Sequence, residues 1–303
     1  MANQTTSERI RPISPVEAIK DLVDRFESKY KNRKAGQIDG IASGFSELDR
    51  ITHGFNPGEL TVIAGRPAMG KTGFLLSMAL QMTGQNNSKV GYLDLAQNSD
   101  YVTERLIVMA SRISAGSLRA GKLVEQDLKL LKQSLSKIQE LPLFVAAIFD
   151  SSLNNVIEEA RNAVNSSGLN ILLIDYLQSL RINDWKGGRE SETREIMLKL
   201  RSLAKELNIP IVLSSQLTNV SGENNGDGSP SLSDLGEGGA IEQEADKVIL
   251  LYRPEYFGIE TDERGNSNEG KAELILAKNR SGLLGNIYLH FIDRYALFED
   301  IKD

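Results

Sequence analysis

Residues 60–72 read LTVIAGRPAMGKT, and the last eight of them, Gly65 to Thr72, fit the pattern G-x-x-x-x-G-K-[ST]. The apolar run LTVIA precedes the loop and the helical run TGFLLSMALQM follows it, which is the setting a phosphate-binding loop requires. Glycines let the backbone wrap so that its amides point inward, and the helix N-terminus adds partial positive charge. Lys71 is thereby placed to reach the β and γ phosphates of ATP and Thr72 to offer a hydroxyl to magnesium, within a cradle formed by Gly65, Arg66, Pro67, Ala68, Met69 and Gly70. Such a loop needs an acidic residue at the end of another apolar strand to hold the metal. Asp175 closes the run ILLID and fills that position. Alone, a strand-end Asp is an ordinary turn former; the loop about a hundred residues earlier makes it a metal candidate with Thr72.

Outward from this loop, short β-rich runs alternate with helical stretches: Leu60–Ala64, Val90–Leu95, Leu143–Val145, Ile171–Asp175, Ile211–Ser215 and Val248–Leu251, with helical segments at 99–113, 125–139, 153–166 and 190–207. Near-continuous apolar strands separated by helices predict an α/β fold with a mostly parallel central sheet and helices on both faces. Ala272–Ala277, Ile287–Phe291 and Ala296–Phe298, with the turn SGLLGN between the first two, predict an antiparallel C-terminal edge. The polar stretch 218–234 reads as a mobile loop.

The chain of 303 residues is long enough for a sizeable core, and without cysteine it has neither disulfides nor thiolate metal sites. His53 and His290 are the only imidazoles, which argues against zinc. The start lacks an apolar leader and no apolar run approaches the ~18 residues that cross a bilayer, so a cytoplasmic protein without a membrane segment is expected. The net charge of -6 opposes broad attraction to nucleic acid, so any DNA contact has to be local. Residues 1–13 read as a disordered arm. Ser14, Pro15 and Glu17 then form a capping signal for a helix whose apolar stripe includes Val16, Ile19, Leu22, Val23, Phe26 and Tyr30. Its polar, glycine-bearing flank predicts a linker helix and tether over 14–40 ahead of a domain at 41–303. The stripe reads either as core or as a contact with another subunit.

Six stretches carry a family resemblance in order: GFSELDRITHGFNPGELTVIAGRPAMGKT, SRISAGSLRAGKL, LLIDYLQSL, LAKELNIPIVLSSQL, SDLGEGGAIEQEAD and AKNRSGLLG. Together they resemble the RecA-like C-terminal motor domain of DnaB-type replicative DNA helicases, over about residues 40–300. The resemblance implies an ATP-hydrolysing helicase, working as a hexameric homo-oligomer with single-stranded DNA in its channel. It also implies a loader or primase partner and a linker helix docked on the next subunit through Val16, Ile19, Leu22 and Phe26. On the same footing, Gln216 senses the γ phosphate, and Lys278 and Arg280 reach the neighbour's ATP, Arg280 as the arginine finger. From the residues alone, Gln216 reads as a turn residue and Arg280 as a hairpin charge. Nothing resembles the family's N-terminal domain, so a chain reduced to linker and motor, by truncation or naturally, is expected.

Two positions depart from the family. Registered through SRISAGSLRAGKL, Ala96 of YLDLAQNSD stands where the family has the glutamate that orients or deprotonates water. Hydrolysis is therefore expected to be slow, unless Asp94, two residues back on the same strand face, substitutes. In SDLGEGGAIEQ, Gly236 stands where the family has a DNA-contacting arginine, leaving the amides of Glu237, Gly238 and Gly239 for phosphate oxygens. Lys186 and Arg189 flank a second candidate DNA loop with Trp185, a tryptophan that either stacks on a base or anchors the loop on its own domain. With Ala96 and Gly236 both changed, a RecA-like ring in which ATP binding sets assembly is the alternative function.

Overall fold

Both faces of each central strand are covered, and for that reason the sequence shows unbroken apolar runs there. The computed structural model describes residues 19–20, 23–24, 27, 38–217, 228–236, 239–262 and 264–301. The chain divides into two units, residues 1–37 and 38–303. In the first, Ile19, Lys20, Val23, Asp24 and Glu27 are helical, with Ile19 and Val23 exposed. Ser14, Pro15, Val16, Glu17, Leu22, Phe26 and Tyr30 lie outside the described residues.

The second unit is built on one nine-stranded sheet in the order β3-β2-β4-β5-β1-β6-β7-β8-β9. Its strands are β1 (Leu60–Gly65), β2 (Val90–Asp94), β3 (Leu143–Ala147), β4 (Ile171–Asp175), β5 (Ile211–Gln216), β6 (Lys247–Tyr252), β7 (Lys271–Asn279), β8 (Gly285–Ile292) and β9 (Leu297–Asp300). Pairings from β3 to β6 are parallel and those from β6 to β9 antiparallel. The helices are α1 (Ser46–Thr52), α2 (Lys71–Asn86), α3 (Ser99–Ser111), α4 (Ala115–Arg119), α5 (Glu125–Glu140), α6 (Leu153–Ser167), α7 (Arg189–Leu207) and α8 (Ala240–Glu244).

Alternation sorts the strand residues into two cores. Ile63, Tyr92, Leu173 and Ile249 face one core with Phe74, Met78 and Met82 of α2 and Leu106 of α3. Val62, Leu93, Leu172 and Leu250 face the other with Val156 of α6 and Ile196, Leu200 and Leu203 of α7. The antiparallel edge behaves differently. Ala272, Leu274, Leu276, Ile287, Leu289 and Phe291 are buried on one face, while Asn286, Tyr288 and His290 on the other are exposed. That period of two marks a half-covered sheet.

One charge lies deep in this frame. The Lys247 side chain is 0% exposed and its Nζ donates to Glu59 Oε2. Glu59→Ala strands that ammonium without a partner, and the expected loss is about 3 kcal/mol in urea unfolding, whereas Glu59→Ala with Lys247→Met recovers most of it.

Candidate active site

The parallel order places β1 between β5 and β6, and the loop that leaves β1 opens at the C-terminal ends of the strands, where α/β sheets take ligands. β1 stops at Gly65 and α2 starts at Lys71 with Gly70 in front at φ 95°. A side chain at Gly70 would be strained by that φ, and a Cβ there would lie 3.0 Å from the Phe298 ring. Ala68 is also left-handed, at φ 64°. Lys71 Nζ donates to the carbonyls of Gly65 at 2.9 Å and Arg66 at 3.0 Å, so the loop closes around its own lysine. Burial lowers the Lys71 pKa to about 8, against the opposing pull of Asp175.

Thr72 Oγ1 donates to Asp175 Oδ2 at 2.6 Å, joining the start of α2 to the end of β4. Asp175 also accepts from Tyr92 Oη at 2.9 Å and from Ser214 Oγ. Its carboxylate thus sits among three hydroxyls, a hard oxygen set of the kind that takes magnesium with help from phosphates and water. No group of three or more His, Cys, Asp or Glu residues among the described residues forms a preassembled metal cage. A single carboxylate and a hydroxyl suit a cation that arrives with its nucleotide.

Asp94 pairs in register with Asp175 across β2 and β4. Its Oδ1 accepts from the amides of Ala96 at 2.8 Å and Gln97 at 2.6 Å, and burial raises its pKa despite those bonds. The carboxylate is therefore occupied in shaping its own loop, while Ala96 is exposed.

Gln216 stands beside Gly65 in register. Gln178, in the turn after β4, clamps its backbone, accepting from Gln216 N at 3.0 Å and donating to Gln216 O at 3.2 Å. Sequence reasoning missed Gln178, Tyr92 and Ser214. The one signal for Gln178 was a polar residue three positions after a strand-end aspartate.

Lys278 and Arg280 are remote from this cradle. Lys278 pairs in register with Val248, and β6 reaches Gly65 only at Leu251. That separation is roughly 10 Å down the strands and roughly 10 Å across them. Lys278 Nζ donates to Ala245 O at 2.8 Å, and Arg280 donates to Asp246 Oδ1 at 3.2 Å and Gln243 O at 2.8 Å.

Lys186 is exposed, but Arg189 donates to Leu180 O at 3.0 Å and Glu192 Oε2 at 2.9 Å. Trp185 Nε1 donates to Ser191 Oγ at 3.3 Å on its own loop. Gly239 caps α8 in the left-handed region, and Gly236 is held at φ 62°, ψ -155°, a conformation essentially confined to glycine. Glu237 and Gly238, with 218–227, lie outside the described residues.

A sequence model of the DnaB-like helicase C-terminal domain matches residues 40–300. The chain belongs to the DnaB-like helicase C-terminal domain family. It is 33% identical over 291 residues to the replicative DNA helicase DnaB of Geobacillus stearothermophilus, covering 94% of this chain and 63% of that protein. It is 34% identical over 293 residues to the replicative DNA helicase DnaC of Bacillus subtilis strain 168, covering 95% of this chain and 63% of that one. The chain thus spans less than two thirds of these relatives' length. Among solved structures, the ATPase domain of G40P superposes with a TM-score of 0.86 at 31% identity, covering 96% of this chain and 100% of that one. A DnaB-like replicative helicase, described with its interactions with primase, gives 0.84 at 31% identity and covers 96% of this chain and 68% of the other. No helix among the described residues is long and apolar enough to cross a membrane.

A phosphate group held in this loop would link its affinity to pH through Lys71. Phosphates favour the ammonium, so binding raises its pKa from about 8. Above that value the free loop must take up a proton to bind. Affinity for Mg-ATP is expected to fall about tenfold per pH unit above about 8, with proton uptake rising toward about one per nucleotide in calorimetry across buffers.

Proposed function

We propose that this chain is the motor of a ring-forming, ATP-driven helicase that moves along single-stranded DNA, with slowed hydrolysis. The observation that carries the reading is the Thr72–Asp175 contact at 2.6 Å behind the Gly65–Thr72 loop, in a family member related to replicative helicases. Loop amides and Lys71 hold the phosphates of ATP, Lys71 exchanging the Gly65 and Arg66 carbonyls for phosphate oxygens. Thr72 and Asp175 hold Mg2+, which neutralises charge on the β and γ phosphates when bound. Gln216, fixed beside Gly65 by Gln178, senses the γ phosphate.

Lys278 and Arg280 act on the nucleotide of the next subunit of a hexamer, since their own lies across the sheet. The linker helix stripe of Val16, Ile19, Leu22 and Phe26 contributes to the same assembly. DNA meets the amides of Glu237, Gly238 and Gly239, with Lys186 as the free cation of the second loop and Arg189 bracing it. A cytoplasmic location and a primase or loader partner complete the reading. Steady-state ATPase with and without single-stranded DNA, beside mass measurement with a non-hydrolysable ATP analogue, tests it: slow, DNA-stimulated turnover in a hexamer is expected, and a persistent monomer refutes it.

Ala96 and Gly236 favour a second reading, a ring in which ATP binding sets assembly and unwinding is minor. Hexamers on ATP with no DNA stimulation would select it.

A further inference from the structure

The two most exposed large apolar side chains among the described residues are Phe149, 92% exposed, and Leu283, 76%. Leu284 beside Leu283 is 61% exposed. The leucines are held outward on a shaped turn. Asn279 Nδ2 donates to Leu283 O at 3.0 Å, and Asn279 Oδ1 accepts from Ser281 N at 3.3 Å and Ser281 Oγ at 3.2 Å. Phe149 follows β3 at the nucleotide end of the sheet, one residue after Ile148, whose amide donates to Asp94 O at 2.8 Å. β3 is one edge strand and the β7–β8 turn lies six strands away at the opposite end of the sheet, so one copy cannot join Phe149 to Leu283.

We propose that the Leu283–Leu284 tip of one subunit seats on Phe149 of the next copy of this chain, anchoring the hairpin that presents Arg280. This rests on the reading of Arg280 as a residue acting across a subunit boundary. Leu283 is three residues from Arg280, so the tip falls within roughly 10 Å of wherever Arg280 acts. Thr72 meets Asp175 at the end of β4, Leu95 N donates to Asp175 O, and β3 lies two strand spacings from β4, again roughly 10 Å. Phe149, beyond the end of β3, is more exposed than Phe144 on the same strand at 41% or Trp185 after β4 at 37%. Charge agrees with the fit: Lys278 and Arg280 precede the leucines on the same hairpin, and the exposed Asp150 follows Phe149. Two different patches meeting head to tail form a heterologous contact, the kind that closes rings.

Because the chain has no cysteine, single cysteines report the contact without background. Leu283→Cys and Phe149→Cys chains, mixed with Mg2+ and a non-hydrolysable ATP analogue and oxidised with diamide, are expected to give a disulfide dimer. Neither variant alone is expected to do so, and a chain carrying both should give a ladder of oligomers. Leu283→Glu is expected to raise the concentration for half-assembly about tenfold or more. Rings by mass measurement with no mixed disulfide, or equal yields from each variant alone, overturn the contact and leave the ring reading standing. A chain that stays monomeric with the analogue refutes the ring and the contact with it.

Discussion

Lys71→Met is expected to lower kcat/KM for ATP by about a thousandfold or more while leaving the nucleotide-free fold as stable as before, or more so. The two effects have one origin. Lys71 is held in a buried loop on two carbonyl oxygens, and burial depresses its pKa to about 8 from 10.5. Between those two values the unfolded chain binds more protons than the folded one, so this residue makes stability rise with pH over that window. Below about 8 the folded protein carries a desolvated ammonium that a methionine would not have. A bound nucleotide would reverse the balance, because phosphate charge would favour the same ammonium. Urea unfolding without nucleotide and a nucleotide titration, run on both proteins, separate the effects. A variant that unfolds far more easily without nucleotide would show that Lys71 supports the loop structurally.

The parts legible in the sequence were those fixed by local pattern. β4, Ile171–Asp175, is apolar up to its closing aspartate because its two faces meet two cores, and the strand begins and ends where the run ILLID does. The tight turn between β1 and α2 was legible for a related reason, since its glycines allow a backbone such as that of Gly70 at φ 95°. α1, α4 and α8 were not, because five to seven residues are too few for a helical period to register. Nor was the strand order, which local pattern does not carry. That order makes Tyr92 and Ser214 partners of Asp175: β2 and β5 flank β4, and only then does a tyrosine in an apolar run become a donor to the strand-end carboxylate. Arg189 shows the converse. Its sequence setting reads as a surface cation, yet its guanidinium is turned onto Leu180 O and Glu192.

Ala96→Glu is expected to raise ATP turnover by about 10²–10⁴, the range that a positioned general base or water-orienting group supplies. Residue 96 is exposed just beyond β2, and the neighbouring Leu95 amide donates to Asp175 O at 2.8 Å. A glutamate there starts one residue from the Leu95–Asp175 contact, with a longer side chain than Asp94 has. Asp94 is poorly placed to do the same work. Its side chain is bonded to the Ala96 and Gln97 amides, and freeing it would leave those two donors without their acceptor. Asp94→Asn therefore tells the alternatives apart. If Asp94 were the working base, that change would remove the residual turnover and Ala96→Glu would add less than tenfold. If Ala96 marks a missing base, Asp94→Asn disturbs the loop while leaving turnover in the Ala96→Glu background mostly intact. Under this second outcome the slow step traces to the missing carboxylate at residue 96, since a glutamate placed there restores turnover without any help from Asp94.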